Sequence, residues 1–204
     1  MSFAHAATRV PLPTAFRPRR LLVIAALSLT LSGALPSPAA AAWMTTTMPA
    51  FNAAPNSEAA RVLNIAAQHL RDRWKFAAIG PNQFDCSGFV WYVFREAGLR
   101  DRVGNKRKGA IAYWNWFKKQ GLATGPNSLA DAKAGDLLIW GRGAHMGIYI
   151  GNNWAISTLI NPYGVTIHKV NKITHRLTAV LHVRMSRGAP DATPDPSPSP
   201  STSP

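Results

Sequence analysis

The stretch Phe84-Asp85-Cys86-Ser87-Gly88-Phe89-Val90 (FDCSGFV) contains the only cysteine of the 204-residue chain. Asp85 can cap a helix that begins at Cys86, and apolar residues recur four, seven and eleven positions after the cysteine. The thiol would then lie in the first turn of a helix whose back packs against a core. There the positive end of the helix dipole lowers the pKa of a thiol and favours the thiolate. The pattern predicts a reactive nucleophile or, alternatively, a small buried side chain.

The first 42 residues have the three parts of a secretory signal. Three arginines between positions 17 and 20 form its charged region, residues 21–35 its apolar core and residues 39–42 a run of small side chains. An apolar core of about 15 residues is too short for a membrane span, which needs about 20. We therefore expect a signal peptide over 1–42 and a secreted, cell-wall-associated protein. In such a compartment a single cysteine is free or pairs with another chain.

The sequence is strongly basic, with a formal net charge of +14. The expected signal peptide contains four arginines and no acidic residue, so a charge of +10 remains without it. A surface of this kind either aids solubility alone or attracts polyanions. Outside the cell we expect anionic wall polymers rather than nucleic acid as partners, and a monomer. Residues 100–108 are the densest basic run and predict a solvated loop or, alternatively, a polymer-binding patch.

The remaining sequence divides into three segments. Residues 43–56 have no periodicity and are interpreted as a linker. Residues 57–185 have the length of one domain with one core. Residues 186–204 alternate proline with serine, threonine and aspartate, a composition typical of disorder.

The domain is predicted to contain helices followed by strands. The first helical pattern begins at a cap at 56 or 57 and continues to about Trp74, and further helices are predicted over 86–97 and 109–120. Strands are predicted at 137–140, 145–150, 154–157, 165–170 and 177–185. This order defines an α+β fold in which N-terminal helices pack on an antiparallel β-sheet.

His145 is the candidate base. A thiolate nucleophile needs a neighbouring group that also protonates the leaving group, and histidine is the usual choice. Among the six histidines, His145 is singled out because it opens a predicted strand directly after a glycine-rich bend. No cluster of histidine, cysteine or carboxylate residues has zinc-ligand spacing. We therefore expect neither a metal nor another cofactor.

Three strings in order resemble the NlpC-type cell-wall cysteine peptidases, a papain-like family. They are FDCSGFV, AGDLLIWG (134–141) and HMGIYIGN (145–152), and the resemblance covers about residues 57–185. It implies a papain-like fold in which Cys86 is the nucleophile and His145 the base. It also implies peptidoglycan as substrate, with cleavage of stem peptides, commonly at the γ-D-glutamyl bond to a diamino acid.

The resemblance further implies a third polar residue on the strand after the base, which by counting is Ser157. If Gly151-Asn152-Asn153 is a three-residue hairpin loop, Ser157 lies on the same face as His145, ~7–8 Å away between Cα atoms. A two-residue loop would turn Ser157 to the other face. Serine departs from the histidine usual at this position. Asn161, which has the same parity, is the alternative third residue, and His168 is a more distant one.

Residues before and around the cysteine are expected to contact substrate. By the resemblance, Asp85 and Ser87 line the subsite for the free amine of the peptide, and Trp74 takes a position usually held by tyrosine. Ala77 and Ala78 replace two glycines and restrict positive φ in this approach loop. These departures keep other functions open. The alternative functions are a weak or inactive wall-binding protein on the same scaffold, and an amidase or acyltransferase.

Overall fold

The computed structural model describes residues 44–125 and 129–186. The expected signal peptide and almost all of the expected tail lie outside these ranges. The helices described are α1 (Glu58–Gln68), α2 (Cys86–Glu96) and α3 (Ala110–Lys119). The strands described are β1 (Met44–Thr45), β2 (Arg73–Trp74), β3 (Gln83–Phe84), β4 (Ala123–Thr124), β5 (Leu137–Trp140), β6 (His145–Gly151), β7 (Trp154–Leu159), β8 (Gly164–Lys169) and β9 (Leu177–Leu181). Within these two ranges, every helix is too short or too polar to cross a bilayer.

Seven strands form one sheet in the order β1-β8-β7-β6-β5-β9-β4. Strands β5 to β8 are an antiparallel meander, as predicted. Strand β9 does not continue the meander but returns to pair with the outer side of β5. Strands β2 and β3 form a separate parallel pair directly before α2. The α+β class predicted from the sequence is confirmed.

Helix α2 joins the helices to the sheet. Asp85 is its N-cap, as predicted, and the Asp85 carboxylate accepts a hydrogen bond from the Gly88 N–H at 2.6 Å. Burial of one large apolar side chain stabilises a fold by about 1.5–3 kcal/mol, and α2 contributes several. The fully buried apolar residues of α2 are Phe89, Val90, Val93 and Phe94. The helix is therefore held firmly against the sheet, and its first turn is fixed in position.

The central strands have two differently packed faces, because successive side chains point to opposite sides. Met146 and Ile148 belong to the main core, which α2 also enters. Trp140 and Tyr149 belong to a second, smaller cluster on the other face. By this alternation His145 lies on the second face, at the end of β6 nearest to α2.

Helix α1 ends earlier than predicted. The sequence pattern predicted helix as far as Trp74, but α1 ends at Gln68, and Trp74 lies in β2. His69 is the C-cap, and its Nδ1 lies 2.8 Å from Oδ2 of Asp72. This local side-chain contact closes a turn and allows the next residues to pair with β3.

The predicted linker is part of the fold where the structure describes it. Met44–Thr45 pairs with β8 at the edge of the sheet, and Met48 and Phe51 pack against the main core. A strand of two residues is too short to show periodicity, so it could not be predicted from the sequence pattern. At the other end, the Ser186 N–H donates to the Glu58 carboxylate at 2.7 Å.

Three basic side chains of the run 100–108 make contacts within the protein. Arg102 lies 3.4 Å from the carboxylate of Glu58. Lys108 donates to three backbone carbonyls of the same loop at 2.9–3.4 Å, and Arg107 contacts the start of α2. Most residues of the run are nonetheless exposed, as expected of a solvated loop, and these three side chains also make contacts within the protein.

Gly88 lets the approach loop lie directly on α2, because a Cβ at this position would clash with the carbonyl oxygen of Ala78. The same oxygen accepts a hydrogen bond from the Asp85 N–H at 2.9 Å. We predict that Gly88→Ala lowers the free energy of unfolding by about 1–3 kcal/mol, measured by urea denaturation, despite the better helix propensity of alanine.

Gly125→Ala is the matched control, since a Cβ there meets no atom within 4 Å. Its unfolding free energy should change by less than about 0.5 kcal/mol. Equal stability of the Gly88→Ala variant and the wild type would show that the loop is not held against the helix.

Candidate active site

Cys86 is the first residue of α2, and its side chain is partly buried. Its sulfur is hydrogen-bonded by the backbone N–H of Met146. That N–H belongs to the peptide joining His145 to Met146, at the start of β6. The structure thus brings together the two residues that the sequence singled out.

The thiol of Cys86 is neutral near pH 7. Burial raises the pKa of Cys86 above its ordinary value, and the negative charge of Asp85 raises it further, although backbone N–H groups, Met146 among them, lower it. This direction is opposite to the one expected from the helix start alone. The direction differs because removing the thiolate from water costs more free energy than the hydrogen bonds from nearby N–H groups regain.

Asp85 and Ser87 are engaged within the protein by Arg107. Oδ1 of Asp85 accepts from the Gly88 N–H at 2.6 Å and from the Ser87 hydroxyl at 2.9 Å. The Arg107 guanidinium binds Oδ2 of Asp85 and donates to the Ser87 oxygen at 3.1 Å. A guanidinium therefore compensates the carboxylate to which the sequence analysis assigned a substrate amine. In the sequence, Arg107 is marked only by its place in the basic run.

His145 is held as a neutral imidazole. Its Nε2 lies 2.9 Å from Oγ of Ser157, and its ring packs on Trp140 with centroids 5.4 Å apart. Burial lowers the pKa of His145 to about 3, and the neighbouring His168 and His175 contribute. A neutral imidazole at pH 7 is the form that a general base requires.

The hairpin between β6 and β7 places Ser157 on the face of the candidate base by an unexpected route. The loop consists of Asn152 and Asn153, one residue fewer than predicted. Alone, this difference would turn Ser157 to the other face. A β-bulge between Tyr149 and Gly151 adds the compensating residue.

Gly147 makes room for this contact. A Cβ at Gly147 would lie 2.7 Å from Cβ of Ser157 and 2.8 Å from the carbonyl oxygen of Ile156. Real Cβ atoms are essentially never found so close to such neighbours. A side chain at this position would displace Ser157 from His145.

His168, on β8, is a second partner of Ser157. Its Nε2 lies 2.8 Å from Oγ of Ser157, and its Nδ1 lies 3.2 Å from the carbonyl oxygen of Lys169. Burial lowers the pKa of His168 to about 4. From the sequence, His168 was predicted as a remote substitute for Ser157, whereas in the structure it lies on the side of Ser157 opposite to His145. Asn161, the other alternative, lies in the exposed turn after β7, and the ring of His145 is paired with Ser157 instead.

Two clefts are present among the described residues. One, of about 910 Å³, is lined by the approach segment 71–83 without Trp74, which is half-buried. The other, of about 970 Å³, is lined largely by residues 130–134 and 182–186. Neither cleft is lined by Cys86 or His145. In residues 44–125 and 129–186, no three histidine, cysteine or acidic side chains are grouped as a metal site.

A cysteine that begins a helix, next to a histidine that opens a strand of an antiparallel sheet, is the arrangement of papain-like cysteine peptidases. Comparison with known families agrees with it. The chain belongs to the NlpC/P60 family, whose sequence model matches residues 71–184.

Two proteins named as endopeptidases are similar in sequence to part of this chain. The chain is 38% identical over 109 residues to the probable endopeptidase p60 of Listeria grayi, covering 52% of this chain and 19% of that protein. It is 33% identical over 84 residues to the probable peptidoglycan endopeptidase LytE of Bacillus subtilis, covering 39% and 21%. The match thus spans about a fifth of the length of these relatives. NlpC2 from Trichomonas vaginalis has the same fold, with a TM-score of 0.51 and 20% identity over 66% of this chain and 50% of that one.

The buried neutral histidines predict a pH-dependent stability. Their pKa values of about 3 for His145 and about 4 for His168 lie below the value of about 6.5 in an unfolded chain. Between these limits the unfolded state binds more protons, so the free energy of unfolding falls as the pH decreases from about 6.5 to 4.

We predict that His168→Gln, which removes one titrating group, makes this dependence shallower, as measured by urea unfolding at pH 7, 6, 5 and 4. The pKa of Asp136 is raised by burial and acts with the opposite sign in both proteins, so it cancels in the comparison. Identical slopes would contradict a buried, neutral His168.

Proposed function

We propose that this protein is a secreted, cell-wall-associated peptidoglycan hydrolase with Cys86 as nucleophile and His145 as general base. The observation that carries the proposal is the hydrogen bond from the His145–Met146 peptide to the Cys86 sulfur, with the His145 ring held by Ser157. Membership of the NlpC/P60 family, and relatives named as endopeptidases, support the class of reaction. The expected signal peptide supports export.

The proposed reaction begins from a neutral thiol and a neutral imidazole. The proton of the Cys86 thiol moves to His145 while the sulfur attacks the carbonyl carbon of a peptide amide. When the tetrahedral intermediate collapses, the C–N bond breaks and His145 gives the proton to the departing amine. Water then attacks the acyl-enzyme with His145 again as base, which releases the carboxylic acid and restores the thiol.

Backbone N–H groups at the start of α2 are the proposed stabilisers of the oxyanion. The N–H groups of Cys86 and Ser87 lie close enough to the sulfur to lower its pKa. They are fixed in direction because Asp85 caps the helix. One such donor contributes about 2.7–4 kcal/mol to the transition state in other hydrolases.

The proposed substrate is a stem peptide of the wall, with the γ-D-glutamyl bond to a diamino acid as the proposed point of cleavage. Asp85, Ser87 and Trp74 remain the proposed contacts for it. Because Arg107 compensates Asp85, a substrate ammonium group binds Asp85 only when Arg107 is displaced. The basic surface is proposed to favour anionic wall polymers.

Arg107 should therefore weaken recognition of a free amino terminus. We predict that Arg107→Ala lowers KM for a stem peptide with a free amine about tenfold, the value of one charge-assisted hydrogen bond. The N-acetylated form of the same peptide should show no such gain, and Arg100→Ala, in the same loop, should change neither KM. Equal changes for both peptides would show that Asp85 does not bind the amine.

Loss of the nucleophile tests the proposal directly. We predict that Cys86→Ala releases no peptides from purified peptidoglycan, whereas the wild type does, as measured by mass spectrometry of the muropeptides. Circular dichroism should show an unchanged fold, since Asp85 rather than Cys86 caps α2 and the substitution removes only the sulfur atom. Continued release of peptides by the variant would refute the mechanism.

A wall-binding protein without activity is the second candidate, favoured by the raised pKa of Cys86 and the compensated Asp85. It would sediment with wall material and leave the muropeptide profile unchanged. An amidase or acyltransferase would use the same nucleophile but give different products. The same mass spectra separate these outcomes.

A further inference from the structure

A continuous hydrogen-bonded chain extends from the candidate base into the sheet. It consists of His145, Ser157, His168 and the carbonyl of Lys169, and we refer to it as the relay. Its three contacts measure 2.9 Å, 2.8 Å and 3.2 Å in that order. Ser157 and His168 have no exposed surface, so their polar atoms depend on one another for hydrogen bonds.

The direction of every bond in the relay follows from its inner end. The Lys169 carbonyl oxygen can only accept, so Nδ1 of His168 is the nitrogen that carries the proton. Since burial keeps His168 neutral at pH 7, its Nε2 has a lone pair and accepts from the hydroxyl of Ser157. The hydroxyl proton of Ser157 is then engaged in the hydrogen bond to His168, so the oxygen of Ser157 accepts a hydrogen bond from Nε2–H of His145. Neutral His145 is left with its lone pair on Nδ1.

The opposite direction is unfavourable. It would require Nε2 of His168 to carry the proton, and the lone pair of Nδ1 would then face the lone pairs of the Lys169 carbonyl at 3.2 Å. A serine without His168 would not decide between the directions, because a hydroxyl both donates and accepts and rotates freely. His168 therefore supplies the orientation that serine lacks.

Aromatic packing holds the relay in position. The ring of Trp140 contacts both imidazoles, with centroids 5.4 Å from His145 and 5.8 Å from His168. The indole is itself held by a 3.0 Å hydrogen bond from Nε1 to the carbonyl of Val170. Outside the relay, the titratable group that acts on His145 is His175, in the loop before β9.

We propose that His168 is a positioning residue of the hydrolytic site, which through Ser157 fixes the Nε2–H tautomer of His145 and keeps Nδ1 as the proton acceptor. The inference rests on the proposed function for its catalytic consequence, but the tautomer itself is a property of the folded protein. It explains how a serine holds the place of a third catalytic residue. The serine transmits an orientation that the buried histidine sets.

The tautomers are measured directly by long-range ¹H–¹⁵N correlation spectra of the imidazoles at pH 7. The wild type should show a proton on Nε2 of His145 and on Nδ1 of His168. In His168→Phe, the Ser157 hydroxyl loses its acceptor and is free to donate to Nε2 of His145, so the Nδ1–H form of His145 should increase. A wild-type His145 protonated on Nδ1, or an unchanged tautomer in His168→Phe, would overturn the proposal.

Kinetics with wall peptides test the consequence. His168→Phe should lower kcat about 10²-fold, the contribution of one positioned acid–base group, with KM changed less than about twofold. His168→Gln should retain most of kcat, because its side-chain oxygen can accept from Ser157 near the position of Nε2. Val165→Ala is the control for lost stability, since it lies on β8 but faces the main core. An equal loss of kcat in His168→Phe and His168→Gln, or in His168→Phe and Val165→Ala, would refute the positioning role.

The two measurements separate the inference from the proposed function. If the wild type cleaves no wall peptide, the proposed function fails, while the imidazole spectra still decide whether His168 sets the tautomer of His145. If the wild type cleaves peptides but the spectra show the other tautomer, the inference fails alone.

Discussion

The contact between the first turn of α2 and the first residues of β6 is the constraint on which the site depends. The Met146 N–H reaches the sulfur of Cys86 only because α2 is held at a fixed height on the sheet. Its buried aromatic and branched side chains hold the middle of the helix, and the Asp85 cap fixes its beginning. Packing in the middle of α2 thus determines where Cys86, the proposed nucleophile, lies relative to the start of β6.

Burial controls the charges at this contact. It raises the pKa of Cys86 and lowers that of His145, so both groups are neutral near pH 7. Arg107 compensates the carboxylate closest to them. Such a site has no preformed thiolate–imidazolium pair, so in the proposed reaction charge develops only when a substrate is attacked. Desolvation outweighs the helix dipole here because the sulfur is mostly enclosed, whereas the dipole acts only through the N–H groups of one turn.

Local patterns in the sequence predicted much of the fold. The cap and apolar face of α2 and the strand segments separated by turns in β5 to β8 are short-range features, and the structure confirms both. The predicted end of α1 was wrong because the side chains of His69 and Asp72 close the turn after the helix. Hydrophobic periodicity does not reveal such a contact. Strand β1 was missed since it is too short to show a pattern.

At the site, the family resemblance implied Ser157 as the partner of His145, and a three-residue hairpin loop was the condition for placing both on one face. The structure reaches the same pairing with a shorter loop and a bulge, so the face was right and the reason was wrong. Arg107 was not assigned to the site, and His168 was given only as a distant alternative, because their contacts come from other elements of the fold. The bulge at Tyr149–Gly151 also has a consequence for related chains. A single-residue insertion or deletion that shifts the pairing of β6 with β7, rather than being taken up in the loop, would turn the serine to the other face of the sheet, away from the imidazole.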